Sequence, residues 1–112
     1  MKLDRELLKG ATETMVLAIL GEEPSHGYQL VRLLKQRSEG IFELGEGTLY
    51  PLLYKLEAKG WIRGAWEAGD GQRRRRVYRI TGRGRRQLTK RTEQWVGLAR
   101  GMTLILGGPT YA

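Results

Sequence analysis

Four consecutive arginines, Arg73 to Arg76, are the densest chemistry in this chain. A guanidinium stays charged at neutral pH and presents several N–H donors, so the run suits phosphate oxygens or insertion into a narrow nucleic-acid groove. It opens an acid-free window between Asp70 and Glu93. That window holds Arg73, Arg74, Arg75, Arg76, Arg79, Arg83, Arg85, Arg86, Lys90 and Arg91, ten of the chain's twenty basic side chains. The formal charge of +8 is therefore concentrated in one segment. A charge run by itself fits a solubilising face as well as a binding one. The segment before it tips the balance. Between Thr48 and Lys59, helical spacing places Thr48, Tyr50, Tyr54, Lys55, Ala58 and Lys59 on one outward face. Hydroxyls suit phosphates or base edges, and lysines suit phosphates. The middle of that face carries no Asn, Gln or Arg, so it is not built for bidentate base readout. Alternation along a strand sends Arg74 and Arg76 to one face and Arg73 and Arg75 to the other, so the four are not expected on the same phosphates.

Other chemistries find no residues. Cysteine is absent, which removes disulfides, thiolate metal sites and cysteine nucleophiles and fits a reducing cytoplasm. The single histidine, His26, has no second histidine or close carboxylate pair beside it and reads as a packing or hydrogen-bonding residue. No Gly-x4-Gly-Lys-Ser/Thr loop occurs. Neither an enzyme, a metal site nor a cofactor is expected. No apolar run approaches the roughly 20 residues of a membrane span, and the N-terminus mixes both charge signs, unlike a signal peptide.

The elements that would hold these side chains follow from pattern and punctuation. The run Met15–Leu20 reads as a central helix, starting near Leu7 or Thr12 and stopped by the Gly-Glu-Glu-Pro-Ser turn. Ser25 is the expected N-cap of a second helix, His26 to about Ser38, with Gly27, Leu30, Val31 and Leu34 inward and Gly40 closing it. A third helix, about Thr48 to Lys59, buries Leu49, Leu53 and Leu56. With Gly47 as its cap, Pro51 falls in the first turn, where N–H groups lack partners. Trp61–Glu67 and Val77–Ile80 read as a hairpin around a Gly- and Asp-rich turn. Thr81 caps a last helix that reaches about Leu106. On it Trp95, Leu98, Met102 and Ile105 are spaced three, four and three, and Leu88 lies one heptad earlier, an apolar seam that calls for a partner helix; the other reading is packing back onto its own domain.

The strings LLKGATETMVLAIL, HGYQLVRLL, GTLYPLLYKLEAKGWI and RRRRVYRITGRGRRQL occur in order. Together they closely resemble the PadR-type transcriptional regulators, over Leu7 to about Leu88. The resemblance implies a fold that is mainly α with a small β-hairpin. Residues 1–80 would form a winged helix-turn-helix, and residues 81–112 a dimerisation helix and short tail. It puts Thr48, Tyr50 and Lys55 on a recognition helix, Tyr28 near the DNA backbone and Arg73–Arg76 in the wing. Leu98, Met102 and Ile105 would lie in the dimer helix. Some relatives keep at the place of Trp95 a Trp that stacks on planar ligands, which implies an aromatic effector there with Arg91 drawing a carboxylate or phenolate; the other reading is a Trp95 that only fills the dimer core. Two departures stand out. TGRGRR replaces the usual Thr-Pro-x-Gly opening of the last helix, which predicts a loose start. Tyr54 stands where many relatives carry His. The expectation is a homodimeric regulator of promoter DNA, more a repressor than an activator. The alternative is a winged helix used for protein docking or RNA binding.

Overall fold

The computed structural model describes residues 8, 10–68, 71 and 74–108. The apolar run folds as helix α1 (Ala11–Glu22), with Val16, Leu17, Ile19 and Leu20 in the core. Helix α2 (Gly27–Arg37) lays Leu30 and Leu34 against it, one turn apart as their spacing requires. Helix α3 (Glu46–Ala58) contributes Leu49, Leu53 and Leu56, all without solvent exposure. The expected core stripes of both helices are therefore present. A backbone turn closes α2, with Glu39 and Gly40 at φ 53° and 83° and the Gly40 N–H on the Lys35 carbonyl at 2.8 Å.

Two helix starts differ from expectation. Ser25 does not cap α2. It is buried in a two-residue strand, β1 (Ser25–His26), and the cap is His26, whose Nδ1 accepts the Gln29 N–H at 3.2 Å. Helix α3 begins at Glu46, with Gly45 rather than Gly47 as N-cap. Pro51 thus lies in the second turn and leaves the Gly47 carbonyl without its helical donor. Gly47 is exposed, so water can take the donor's place.

Strands β2 (Ile62–Ala68) and β3 (Arg74–Ile80) pair antiparallel from Ile62↔Ile80 to Ala68↔Arg74. The sheet has three strands, not two, because β1 adds to the free edge of β3 through Ser25↔Tyr78 and His26↔Val77, giving the order β1-β3-β2. Strand β3 also starts earlier than expected, so Arg74, Arg75 and Arg76 belong to the strand. Of the expected turn Ala68–Gln72, Ala68 ends β2 and Gly71 has φ 83°; the other three lie outside the described residues.

Helix α4 (Gly82–Leu106) starts tightly, against the expectation from TGRGRR. Thr81 Oγ1 accepts the Gly84 N–H at 3.1 Å and donates to the Gly60 carbonyl at 2.6 Å, while the Thr81 N–H donates to the Trp61 carbonyl at 3.0 Å. Gly84 is buried, and a Cβ there would sit 2.0 Å from the Trp61 carbonyl oxygen. The missing side chain is what lets the helix root press on the strand. Beyond Arg91 the helix leaves the body, and the molecule measures 54 × 29 × 24 Å.

Candidate nucleic-acid interface

Helix α3 and strand β3 border an open groove of about 880 Å³. Tyr54 projects into solvent beside it at 79 % exposure, with Tyr50 at 41 %, and Tyr28 and Trp66 are also exposed on its rim. Leu49, Leu53 and Leu56 fix the rotation of α3, so Tyr50 and Tyr54 must turn away from the core. Thr48 is exposed in the first turn. Gly27 matters here as well: a Cβ on it would lie 2.5 Å from the Tyr50 hydroxyl, so Tyr50 packs where α2 carries no side chain.

One carboxylate holds the groove's two walls together. Glu57 Oε2 accepts the Gly64 N–H of β2 at 3.2 Å and the Arg76 guanidinium of β3 at 2.6 Å. Arg76 also lies 5.8 Å from the ring centres of Trp66 and Tyr78. Its path crosses Gly64, where a Cβ would stand 2.7 Å from Arg76 Nε. Arg76 therefore anchors the wing to α3 and is not a free phosphate ligand. Arg74 and Arg75 are exposed, and no carboxylate holds them among the described residues. The expected alternation of the arginines does not separate them: Arg74, Arg75 and Arg76 all line the groove. Strand β1 ends opposite Val77, so beyond that point this edge of β3 is open and long side chains can reach round it. Arg73 lies outside the described residues.

The lysines divide in the same way. Lys55 is mostly exposed, 3.6 Å from Glu13. Lys59 lies 3.3 Å from Glu13 and 4.4 Å over the Trp61 ring, turned away from the groove, so its expected DNA contact is not what its geometry serves. Arg91 reaches Glu13 Oε1 at 2.9 Å and stacks 4.9 Å from the other partner of this cluster, the Trp61 ring. It is committed within the chain and is not the free cation expected beside an effector. Glu13 is only 6 % exposed. Burial pushes its carboxyl up, but the Arg91 hydrogen bond and the charges of Arg91 and Lys59 more than reverse this and hold it below the ordinary value. Burial also raises the Tyr78 phenol, against the opposing charge of Arg76, so it stays neutral.

Along α4, Trp95 is 42 % exposed and Ile105 84 %, with Leu98 and Met102 near half. Val96, Leu104 and Leu106 are exposed as well. Leu88, placed in the seam by heptad spacing, packs against the core of its own chain, with Cδ2 close to Gly21. A recess of about 300 Å³ lies between Trp95, Lys90, Arg91 and Thr14, so the structure brings Trp95 and Arg91 together.

Glu13 and Glu57 organise the site although neither is among the residues expected from the sequence. Glu13 had a signal: it shares the i, i+3, i+4, i+7 stripe of Val16, Leu17 and Leu20, so it had to face inward. Glu57 had none, since its partners come from later strands.

A three-helix unit with a three-stranded wing and a trailing helix is a winged helix-turn-helix. The profile of the family described as "Transcriptional regulator PadR-like family" matches residues 16–90, and the chain belongs to that family. It is 35 % identical over 107 residues to the transcriptional regulator Rv3488 of Mycobacterium tuberculosis, covering 96 % of this chain and 94 % of that protein. The PadR-like transcriptional regulator BC4206 of Bacillus cereus superposes with a TM-score of 0.81 at 29 % identity, over 93 % of this chain and 99 % of that one. A PadR family regulator from Eggerthella lenta is 38 % identical, with a TM-score of 0.76 over 90 % and 86 %. Among the described residues no helix is long and apolar enough to cross a membrane.

Proposed function

We propose that this regulator binds duplex DNA as a homodimer and acts as a repressor by covering a pseudo-palindromic operator. Residues 1–80 hold the DNA and residues 81–112 hold the partner protomer. The observation that carries the reading is the groove between α3 and β3, with the tyrosine hydroxyls on one wall and Arg74 and Arg75 on the other. Helix α3 enters the major groove. Thr48, Tyr50, Tyr54 and Lys55 meet bases and phosphates, Tyr28 meets the backbone, and the wing arginines follow the adjacent phosphates.

The apolar stripe Trp95–Leu98–Met102–Ile105 supports dimerisation, since four large side chains stand exposed on one helix at seam spacing. A planar aromatic molecule stacking on Trp95 across the two-fold axis would release DNA if it bound the released arrangement more tightly. The cations beside such a ligand would be Lys90 and Arg91, the latter already paired with Glu13.

The test is selection of bound genomic fragments followed by footprinting at moderate salt. We expect a protected inverted repeat with half-sites about 34–36 Å apart. Equal affinity for all fragments, with no protected repeat, would overturn the reading and leave a general polyanion binder.

A further inference from the structure

We propose that His26 and Arg75 form a two-donor clamp on a single backbone phosphate of bound DNA, an inference that rests on the DNA-binding reading above. One imidazole has more donors around it than it can accept. His26 Nδ1 accepts the Gln29 N–H at 3.2 Å, which requires an unprotonated Nδ1. On the other side of the ring, Nε2 stands 3.2 Å from Arg75 Nη1. A guanidinium can only donate. A neutral imidazole has one lone pair to offer, and here two donors approach it. Burial, then the charges of Arg75 and Arg32, hold the ring below its ordinary pKa, so it is neutral at pH 7.

The two tautomers are not equal. With the proton on Nδ1, Arg75 is satisfied, but Nδ1–H then faces the Gln29 N–H at a helix end whose backbone cannot retreat. With the proton on Nε2, the cap is intact and the conflict moves to Arg75, an exposed side chain on a long stem. The second arrangement is the stable one. It leaves Nε2–H and the Arg75 N–H as two donors converging on one place.

The sheet fixes this convergence. His26 pairs with Val77 across β1 and β3, and Arg75 lies two residues along β3, hence on the same face as Val77. Both residues line the groove, with Tyr28 beside them. Among the described residues, the carboxylates that could have answered them are engaged elsewhere: Glu57 by Arg76 and Gly64, Glu67 by Arg79. What the pair lacks is an anionic oxygen within about 3 Å of both nitrogens. On this wall of a DNA groove, that oxygen belongs to a backbone phosphate. The clamp is independent of sequence and sets the register of the wing on the duplex.

Because His26 acts while neutral, it adds affinity without releasing counterions, whereas Arg75 does both. The two contributions are therefore separable by salt. We would measure anisotropy of a labelled mixed-sequence duplex, across a salt series, with wild type, His26→Asn, Arg75→Gln and the double variant. Asn retains an N-cap oxygen but lacks the distal N–H; His26→Ser serves as a second cap-competent variant, and the one whose Tm matches wild type is read. His26→Asn should weaken binding about five- to tenfold with an unchanged salt slope. Arg75→Gln should lower the slope by about 0.9. The double variant should lose less than the product of the single losses, since both act on one phosphate. Imidazole ¹⁵N shifts of the free protein should report the proton on Nε2.

Wild-type affinity in a stable His26 variant, strictly multiplying losses, or a proton on Nδ1 would each overturn the clamp. Absence of any duplex binding by wild type would instead overturn the DNA-binding reading and the clamp with it.

Discussion

Glu13 takes a charge into the one helix that is otherwise apolar on most sides, and three cations from two other helices follow it. Its folded-state pKa is lowered, so its contribution to stability is complete above the ordinary value of 4.5 and is lost as pH falls through the lower folded value. Glu13→Gln should cost about 1–2 kcal/mol at neutral pH, discounted because the cations are partly exposed and can hydrate. It should also flatten the decline in stability as pH falls from 4.5 through the lower folded value. Urea titrations of both proteins from neutral to acidic pH check this; parallel pH profiles would remove Glu13 as the acid-sensitive group. At this scale the outward tyrosines were legible, because Leu49, Leu53 and Leu56 set the phase of α3. The cations were not. Lys59, Arg76 and Arg91 find their partners 46, 19 and 78 residues away, and no local pattern records such distances.

The elements were legible where pattern and punctuation agree. Leu and Ala in α1, the glycines after α2 and α3, and Thr81 before α4 each mark a boundary that the fold respects to within a few residues. Strand β1 escaped, because two residues cannot show a period of two. Pro51 was misplaced by one cap, since either Gly45 or Gly47 can start the same pattern. Gly84 shows what spacing alone does not reveal: a glycine required by contact rather than by φ. Gly84→Ala would drive a methyl into the Trp61 carbonyl and Ile80 and prise α4 from the sheet. We expect Tm to fall by about 10–20 °C. Gly82→Ala, whose Cβ meets nothing nearer than the tip of Arg86 at 3.7 Å, should leave Tm unchanged or slightly raised. Equal melting of both variants would show that the helix root is loosely seated.

For the molecule as a whole, the apolar side chains Leu98, Met102 and Ile105 stand exposed on α4 among the described residues. Leu98→Asp with Met102→Asp should make the protein monomeric by sedimentation, because two charges would be buried unpaired at the seam. Operator affinity should drop at least about a hundredfold, since the half-sites would no longer be bound by linked units. The winged domain should remain folded, as neither side chain belongs to the core. A persistent dimer would move the interface elsewhere.

The tight seating of α4 has a mechanical consequence. Thr81, Gly84, Leu88 and Arg91 fasten its first turns to the wing and to α1, and Glu57 fastens the wing to α3. In a homodimer of the proposed kind, helix and reading head would thus swing as a single lever whose fulcrum lies at the two-fold axis. A helix of 25 residues is about 37 Å long, so a tilt of about 10° at the fulcrum carries the far end some 6 Å, nearly two base-pair steps. In such a dimer, small changes in how the two tails cross would alter the spacing of the two reading heads by about that distance.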